Sequence, residues 1–398
     1  MNNRNWPSWL RGLNRDWLLH GSGQVLLIGL ASRLLVFTSA IVGFSVFGVR
    51  QSLPNENLWS INVPVVNLFC RWDTAWYAQI ALHGYPPGSS PVAQVWNWFP
   101  LYPVTMRGVG SVFQIFLSPT EAVMVAGFLV SNALFFVSLM LFYKLSAVVL
   151  GSRRLAVAAS IFFCFWPGAL FYSAAYSESL FMALALGAFY FLEKGDGWKS
   201  TLLGFLAGFA KGNAFLICIP FFVSGLQKRR AWQVLQSAVV ASPYLLFSLY
   251  GYFSTGLFPV RENVYRTYWG TLPPLLTQLS GTINMGYAVL YSVESLLIVF
   301  PFVFLTFDFL RARSFWWVIK AEGSAVKYWA LSLVVLVTIL FYSEMFGIHR
   351  YAMAMLPLYW VPAKVWGRSR ALGVVLLGTT TTILVIGTVL FVTWNYFL

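Results

Sequence analysis

Two long stretches without any charged side chain constrain the fold more than any other feature of this sequence. One lies between Glu121 and Lys144, and the other runs from Ala371 to Leu398. Each is long enough for a helix of about 20 apolar residues, which is the length that crosses a bilayer. Hydrophobic residues make up 59% of the chain and charged residues 10%, against about 45–50% and about 25% in soluble domains. The sequence therefore predicts an all-α, polytopic membrane protein.

We predict about eleven spans in a single integral-membrane domain that comprises residues 1–398, with a long first outer loop at 49–120 that carries interface helices. The approximate segments are 24–48, 121–145, 155–171, 176–192, 200–226, 233–253, 286–308, 328–346, 350–365 and 371–396. The first is too long for the apolar part of a signal peptide, so we expect an uncleaved span. The segment 200–226 counts twice, because Lys211-Gly212-Asn213 at its middle predicts a hairpin of short helices. One long tilted helix is the alternative.

The distribution of basic residues predicts the orientation. Most of the 26 lysines and arginines would share one face of the membrane, which the positive-inside rule assigns to the cytoplasm together with the N-terminus. The opposite face would hold Arg50, Arg71, Arg107, Arg261, Arg266 and Arg350. The loop around Asp73 would then face outward, toward a periplasm or the ER lumen.

The net charge of +14 sits mostly in short loops between spans, so we expect membrane lipids and not nucleic acid as its partners. The three cysteines, Cys70, Cys164 and Cys218, form no CxxC pair. We therefore predict no metal site, no disulfide framework and no cofactor.

One acid in the outer loop is the strongest candidate for chemistry. Asp73 follows Arg71-Trp72, and an ionisable group close to hydrocarbon usually marks a functional site. Leu68, Trp72, Trp76 and Ile80 share one helical stripe, which predicts a short helix at the interface. Asp73 would act there as a general base, or it would only form an ion pair with Arg71.

Other charged residues allow two interpretations each. Glu178 would cap a helix together with Ser177, a role that is compatible with lining a cavity. Arg350, beside His349, would grip a lipid-linked phosphate or balance the charge of Glu344. The remaining candidates are buried or in loops: for Lys211 and Arg33 we favour snorkelling to an interface over catalysis, and for Arg261 and Arg266 a solvated loop over phosphate binding.

Several of these stretches together resemble the PIG-V family of GPI mannosyltransferases, within the GT-C superfamily of integral-membrane glycosyltransferases. The matching segments are Arg71-Trp72-Asp73, Ile80-Ala81-Leu82-His83-Gly84-Tyr85, Phe99-Pro100-Leu101-Tyr102-Pro103, and the run from Phe171 to Phe181. The run from Leu206 to Asn213 is similar too, but Lys211-Gly212-Asn213-Ala214 stands where the family usually has Arg-Ser-Asn-Gly. The resemblance is good over residues 24–225 and thin beyond them.

The resemblance implies a GT-C-like fold and a polyprenyl-phosphate sugar donor, dolichyl-phosphate-like and most readily mannosyl. It also implies an aspartate near the catalytic centre, which corresponds to Asp73. The acceptor would be a lipid or glycan on the outer side. The residues expected to bind substrate are Arg71, Trp72, His83, Tyr102, Glu178, Lys211, His349 and Arg350.

We therefore predict an inverting glycosyl transfer with Asp73 as base. A secondary transporter is the alternative, because a broken helix around Lys211 and a buried Arg33 would suit that class. A non-catalytic, lipid-binding membrane subunit is the third possibility.

Overall fold

The computed structural model describes residues 21–49, 61–87, 93–256, 297–299, 301, 303, 306, 325–341 and 348–394. Within these ranges the chain forms α-helices and short 3₁₀ helices and no strand, so the predicted all-α class is confirmed there. We number the α-helices in chain order: α1 Ser22–Phe47, α2 Pro64–Phe69, α3 Thr74–His83, α4 Leu101–Phe113, α5 Pro119–Leu150, α6 Arg153–Phe165, α7 Glu178–Lys194, α8 Gly197–Gly208, α9 Cys218–Lys228, α10 Ala231–Thr255, α11 Ala325–Phe341, α12 Ile348–Ala352, α13 Pro357–Arg368 and α14 Arg370–Val392.

Among the described helices, α1, α5, α10 and α14 are long and apolar enough to cross a bilayer, and Ala325–Thr338 is a shorter apolar stretch. The predicted total of about eleven spans is not confirmed. The segments predicted at 155–171 and 350–365 are each interrupted, because a proline at position 167 or 357 begins a new helical segment there. The segment predicted at 286–308 lies mostly outside the described residues.

The longest helix, α5, begins and ends at strong local signals. Ser118 and Glu121 form a reciprocal capping box, and Pro119 occupies the first turn. The helix ends at Gly151, whose φ of 62° is the left-handed conformation that glycine adopts without strain. Its 32 residues extend about 48 Å, so its two ends lie at opposite faces of the helix bundle.

The predicted hairpin at 200–226 is present as two helices, α8 and α9. Gly197, at the start of α8, packs against Gln236 near the start of α10, and Gly208 packs against Pro243 further along it. On the way back, Gly225 of α9 packs against Val234. The chain therefore advances beside α10, turns around residues 209–217, and returns.

The core is rich in aromatic side chains and is formed mainly by α5, α6, α7 and α13. Phe142, Phe163 and Tyr359 pack ring against ring in its centre. A second, smaller cluster joins the loop before α4 to α10, with Trp96 and Phe99 against Phe247. This second cluster includes Ile80 and thereby fixes α3 and the loop before α4 on α10.

Candidate active site

A kinked turn between α2 and α3 presents Asp73. Trp72 adopts a φ of 51°, in the left-handed region that residues other than glycine rarely enter. The backbone N–H of Asp73 donates to the hydroxyl of Tyr176 at 3.0 Å, and that hydroxyl donates to the carbonyl of Arg71 at 3.2 Å. The prediction of one helix through residues 68–80 is wrong, because Trp72 in its left-handed conformation interrupts the helix.

A buried arginine holds the segment that leads to Glu178. After α6 the chain continues as a 3₁₀ helix at Pro167–Tyr172. Arg33 donates to the carbonyl of Ala169 at 2.9 Å and to the hydroxyl of Ser173 at 2.8 Å, and its guanidinium lies 4.2 Å from the ring centroid of Phe135. Arg33 is 4% exposed. The expectation that it snorkels to an interface is therefore wrong.

Four charged side chains from distant parts of the sequence meet in one cluster. Arg350 Nη1 lies 2.8 Å from Asp73 Oδ2, while its Nε and Nη2 both lie 2.9 Å from Glu178 Oε1. Lys211 Nζ also lies 2.9 Å from Glu178 Oε1. Two acids and two bases make the cluster formally neutral, as expected for charges removed from water.

The two carboxylates of the cluster have different surroundings. The side chain of Glu178 is 1% exposed, and one of its oxygens accepts from both cations. The side chain of Asp73 is 26% exposed and pairs with Arg350 through one oxygen. Asp73 is therefore the carboxylate that an incoming molecule reaches.

Aromatic rings line the cationic side of the cluster. The guanidinium carbon of Arg350 lies 4.9 Å from the ring centroid of Phe171 and 4.6 Å from that of Tyr176. Lys211 Nζ lies 5.2 Å from the ring centroid of Tyr351. Each distance is in the range of a cation–π interaction. The rings orient both cations without adding negative charge.

The backbone around Lys211 explains how a lysine reaches this depth. Lys211 sits between α8 and the 3₁₀ helix Gly212–Ile217 in an extended conformation, with φ of −153°. The break turns the side chain toward Glu178. Lys211 is 9% exposed and ion-paired, so the favoured snorkelling interpretation is wrong for this residue as well.

Tyr77 of α3 contributes a hydroxyl next to the cluster. The Tyr77 hydroxyl lies 2.9 Å from Ser177 Oγ, which joins α3 to the start of α7. The side chain of Ser177 makes no capping hydrogen bond to α7. The expected side-chain cap by Ser177 is therefore absent, whereas Glu178 does lie in the first turn of α7, where the helix dipole favours an acid. Burial and the nearby negative charge of Glu178 raise the pKa of Tyr77 well above its ordinary value, so the hydroxyl remains protonated.

The ion pairs also decide between the other interpretations. Asp73 pairs with Arg350, whereas the guanidinium of Arg71 lies 5.5 Å from the ring centroid of Trp394. Arg350 is bound to two carboxylates, and Glu344, its suggested partner, lies outside the described residues. Both loop arginines, at positions 261 and 266, lie outside them too.

The remaining residues expected to bind substrate are placed at different distances from the cluster. His349 is buried and stacks on Phe171 at 5.5 Å between ring centroids. Trp72 donates from its indole nitrogen to the carbonyl of Phe391 at 3.4 Å. Tyr102 is fully buried, and its hydroxyl donates to the carbonyl of Gly127. His83 is exposed at the end of α3.

Three contributors to the site were not identified as such from the sequence: Tyr176, Phe171 and Arg33. Tyr176 and Phe171 stand in the same sequence run as Glu178, so that run held the only available signal. Arg33 was noticed as a charge in an apolar stretch, but its acceptors lie more than 130 positions further along the chain. Local periodicity gives no access to such contacts.

Comparison with known proteins identifies the family of this chain. The model of the family described as "Mannosyltransferase (PIG-V)" matches residues 50–261, which is more than half of the chain. Asp73, Glu178 and Lys211 fall inside this range, and Arg350 falls outside it.

Individual relatives agree with the family match. The chain is 29% identical over 202 residues to GPI alpha-1,6-mannosyltransferase 2 of Rattus norvegicus, covering 46% of this chain and 40% of that protein. It is 27% identical over 203 residues to GPI mannosyltransferase 2 of Drosophila melanogaster, covering 45% and 44%. The matched stretch thus spans less than half the length of these relatives.

A solved structure also resembles the chain. It is an oligosaccharyltransferase of Archaeoglobus fulgidus in complex with zinc and sulfate, with 13% sequence identity and a TM-score of 0.46. The likeness covers 89% of this chain and 53% of that one.

The resemblance drawn from the sequence motifs and the match over residues 50–261 agree. The chain belongs to the PIG-V mannosyltransferase family.

Proposed function

We propose that the protein is a mannosyltransferase that moves a mannosyl group from a polyprenyl-phosphate donor to a lipid or glycan acceptor on the outer side of the membrane. The observation that carries the proposal is the pairing of Arg350 with Asp73 and Glu178. It puts a candidate base beside a cation that suits a phosphate. The family match supports the mannosyl group.

The proposed reaction is a single displacement at the anomeric carbon of the donor. The acceptor oxygen forms a bond to that carbon while the bond from the carbon to the phosphate oxygen breaks. The phosphate leaves with the electron pair, and the proton of the acceptor hydroxyl passes to Asp73. The anomeric configuration is inverted in one step.

The difference between the two carboxylates supports Asp73 as the base. Glu178 Oε1 interacts with three nitrogens of two cations, which stabilise its ionised form and make it a weak proton acceptor. Asp73 interacts with one nitrogen of Arg350 and is more exposed. Glu178 would orient Arg350 and Lys211 toward the phosphate, and Trp72, which is half-buried, would line the substrate space.

The proposal is tested with purified protein, radiolabelled polyprenyl-phosphate mannose and a crude glycolipid acceptor fraction. We expect transfer by the wild-type chain, and a fall of about a hundredfold to ten-thousandfold in rate for Asp73→Asn, because the amide cannot accept the proton. Asp196→Asn is the matched control, since Asp196 caps α8 away from the cluster and asparagine caps helices equally well. Near-normal transfer by Asp73→Asn would remove Asp73 from the chemistry.

The same preparation distinguishes the alternatives. The break at Lys211 beside an ion-pair cluster is also the kind of feature that transporters place at a substrate site. Solute flux across proteoliposomes without sugar transfer would favour a transporter. Lipid binding with neither flux nor transfer would favour a non-catalytic subunit.

A further inference from the structure

The ion pair between Asp73 and Arg350 occupies both groups that the proposed reaction needs. Asp73 must accept a proton, and Arg350 must face a phosphate. In the structure Asp73 Oδ2 and Arg350 Nη1 are 2.8 Å apart, so each group holds the other. While this contact persists, Oδ2 of Asp73 is engaged with the guanidinium and not with an acceptor hydroxyl.

The described contacts of Arg350 cover its Nε–Nη2 edge and the side where aromatic rings pack. Its Nε and Nη2 both lie 2.9 Å from Glu178 Oε1, and the same oxygen also accepts from Lys211 Nζ at 2.9 Å. The rings of Phe171 and Tyr176 pack on the guanidinium. An anion can approach at Nη1, whose partner Asp73 is the more exposed carboxylate of the cluster.

We propose that the phosphate of the lipid-linked donor takes the place of Asp73 on Arg350, and that this exchange releases Asp73 to act as base. The inference rests on the function proposed above. Glu178 stays on the other edge of the guanidinium, so Arg350 remains in position during the exchange. Asp73 thus becomes an effective base only in the donor complex, before the acceptor reacts.

Competition between Asp73 and the donor phosphate for Arg350 predicts that removing the negative charge of Asp73 strengthens phosphate binding. Asp73→Asn, although strongly impaired in transfer, should bind polyprenyl monophosphate more tightly than the wild-type chain. We expect a gain of about tenfold, because the amide of asparagine is a weaker competitor for the guanidinium than the carboxylate it replaces. The measurement is the dissociation constant of polyprenyl monophosphate with the full-length protein in detergent micelles. Polyprenol without phosphate should bind both proteins equally, and Asp196→Asn should bind the phosphate as the wild type does.

A double-mutant cycle separates exchange on Arg350 from a general effect of removing negative charge. In an Arg350→Gln background, the Asp73→Asn substitution should bring no gain, because the shared cation is gone. A general electrostatic effect would still raise the affinity for phosphate there. Should Arg350→Gln aggregate on size exclusion, Arg350→Lys serves as the background. There the gain should shrink, since one ammonium cannot bridge both carboxylates.

The binding and transfer measurements each have an outcome that would overturn the proposed exchange. Unchanged or weaker phosphate binding by Asp73→Asn overturns the exchange and leaves the proposed function intact if the wild type transfers mannose. A gain that persists without Arg350 also overturns it. Absence of transfer by the wild-type protein from the mannosyl donor overturns the proposed function and, with it, the inference.

Discussion

Arg350 is the residue on which the cluster depends, because it is the only described group that joins Asp73 to Glu178. Its planar guanidinium directs three nitrogens at two carboxylates in fixed directions. Lys211, with a single ammonium, lies on Glu178 and does not reach Asp73 in any ion pair that the described residues show. The difference follows from the shapes of the two cationic groups.

Arg350→Lys should therefore impair donor use more than acceptor use. A lysine at this position offers one point charge and cannot hold a phosphate through two parallel hydrogen bonds. We expect kcat/KM for the donor to fall about ten- to a hundredfold, the equivalent of one charge-assisted hydrogen bond. The measurement is the transfer rate in separate titrations of donor and acceptor. A defect confined to the acceptor titration would assign Arg350 to the acceptor site instead.

The sequence singles out each residue of the cluster as a candidate, but it does not predict that the four residues contact one another. Asp73, Glu178, Lys211 and Arg350 each stood out as a charge near apolar sequence. Asp73 and Arg350 are 277 positions apart, and no periodicity reports a contact over that separation. Proximity in sequence favours Arg71 as the partner of Asp73 and Glu344 as the partner of Arg350. The packing of the helices instead brings Arg350 into contact with Asp73 and Glu178.

Among the elements, the broken helices around the cluster matter most. The turn between α2 and α3, the 3₁₀ helix Pro167–Tyr172 and the 3₁₀ helix Gly212–Ile217 each end a helix near a charged residue of the site. Non-helical backbone inside a membrane bundle survives where protein groups satisfy its hydrogen bonds. Arg33 and Tyr176 do so for two of these breaks.

The return of the hairpin depends on close contact between α8 and α10. A Cβ added to Gly208 would lie 2.6 Å from Cγ of Pro243, and a proline ring in a helix cannot move aside. Gly208→Ala should therefore cost about 1–3 kcal/mol through overpacking. Gly378→Ala is the matched control in α14, where nothing lies within 4 Å and the better helix former should gain about 0.5–1 kcal/mol. Thermal unfolding in detergent measures both; equal melting temperatures would contradict the close packing.

The breaks were unequally accessible from sequence. The hairpin was predicted because a lysine, a glycine and an asparagine interrupt an apolar run, and two of these residue types disfavour a continuous helix. The turn at Trp72 was not, because tryptophan carries no signal for a left-handed backbone. Its conformation comes from tertiary contacts of the turn, such as the bond between Tyr176 and Asp73.

Across the whole molecule, α7 connects two buried ionic clusters. Glu178 lies at its first residue, and near its end Glu193 Oε1 pairs with Lys327 Nζ at 2.7 Å and accepts from the Tyr328 hydroxyl at 2.9 Å. The two acids are fifteen positions apart, about 23 Å along a helix. The proposed active site is thus at one end of the bundle, and a second charged contact is at the other.

Cysteine labelling tests which end faces outward. Tyr85 packs against Tyr250 near the end of α10, and Arg230 precedes its start, about 30 Å away. Pro87→Cys and Arg230→Cys are both exposed positions. In intact cells an impermeant maleimide should label the first, and should label the second only after lysis, because the positive-inside rule assigns the basic loops to the cytoplasm. The unsubstituted chain is the control for the native thiols, of which Cys70 and Cys164 are buried and Cys218 is half-buried. The reverse pattern would contradict the proposed side of the reaction.

The position of Arg350 outside residues 50–261 has a consequence for how this site is traced in other chains. The matched part supplies two acids and one lysine, so by itself it carries an uncompensated negative charge. The fold restores neutrality with a cation from near the other end of the chain. In a relative whose later half does not align, the corresponding cation should be sought by charge balance in the folded protein. A sequence alignment limited to the matched part would not contain this cation.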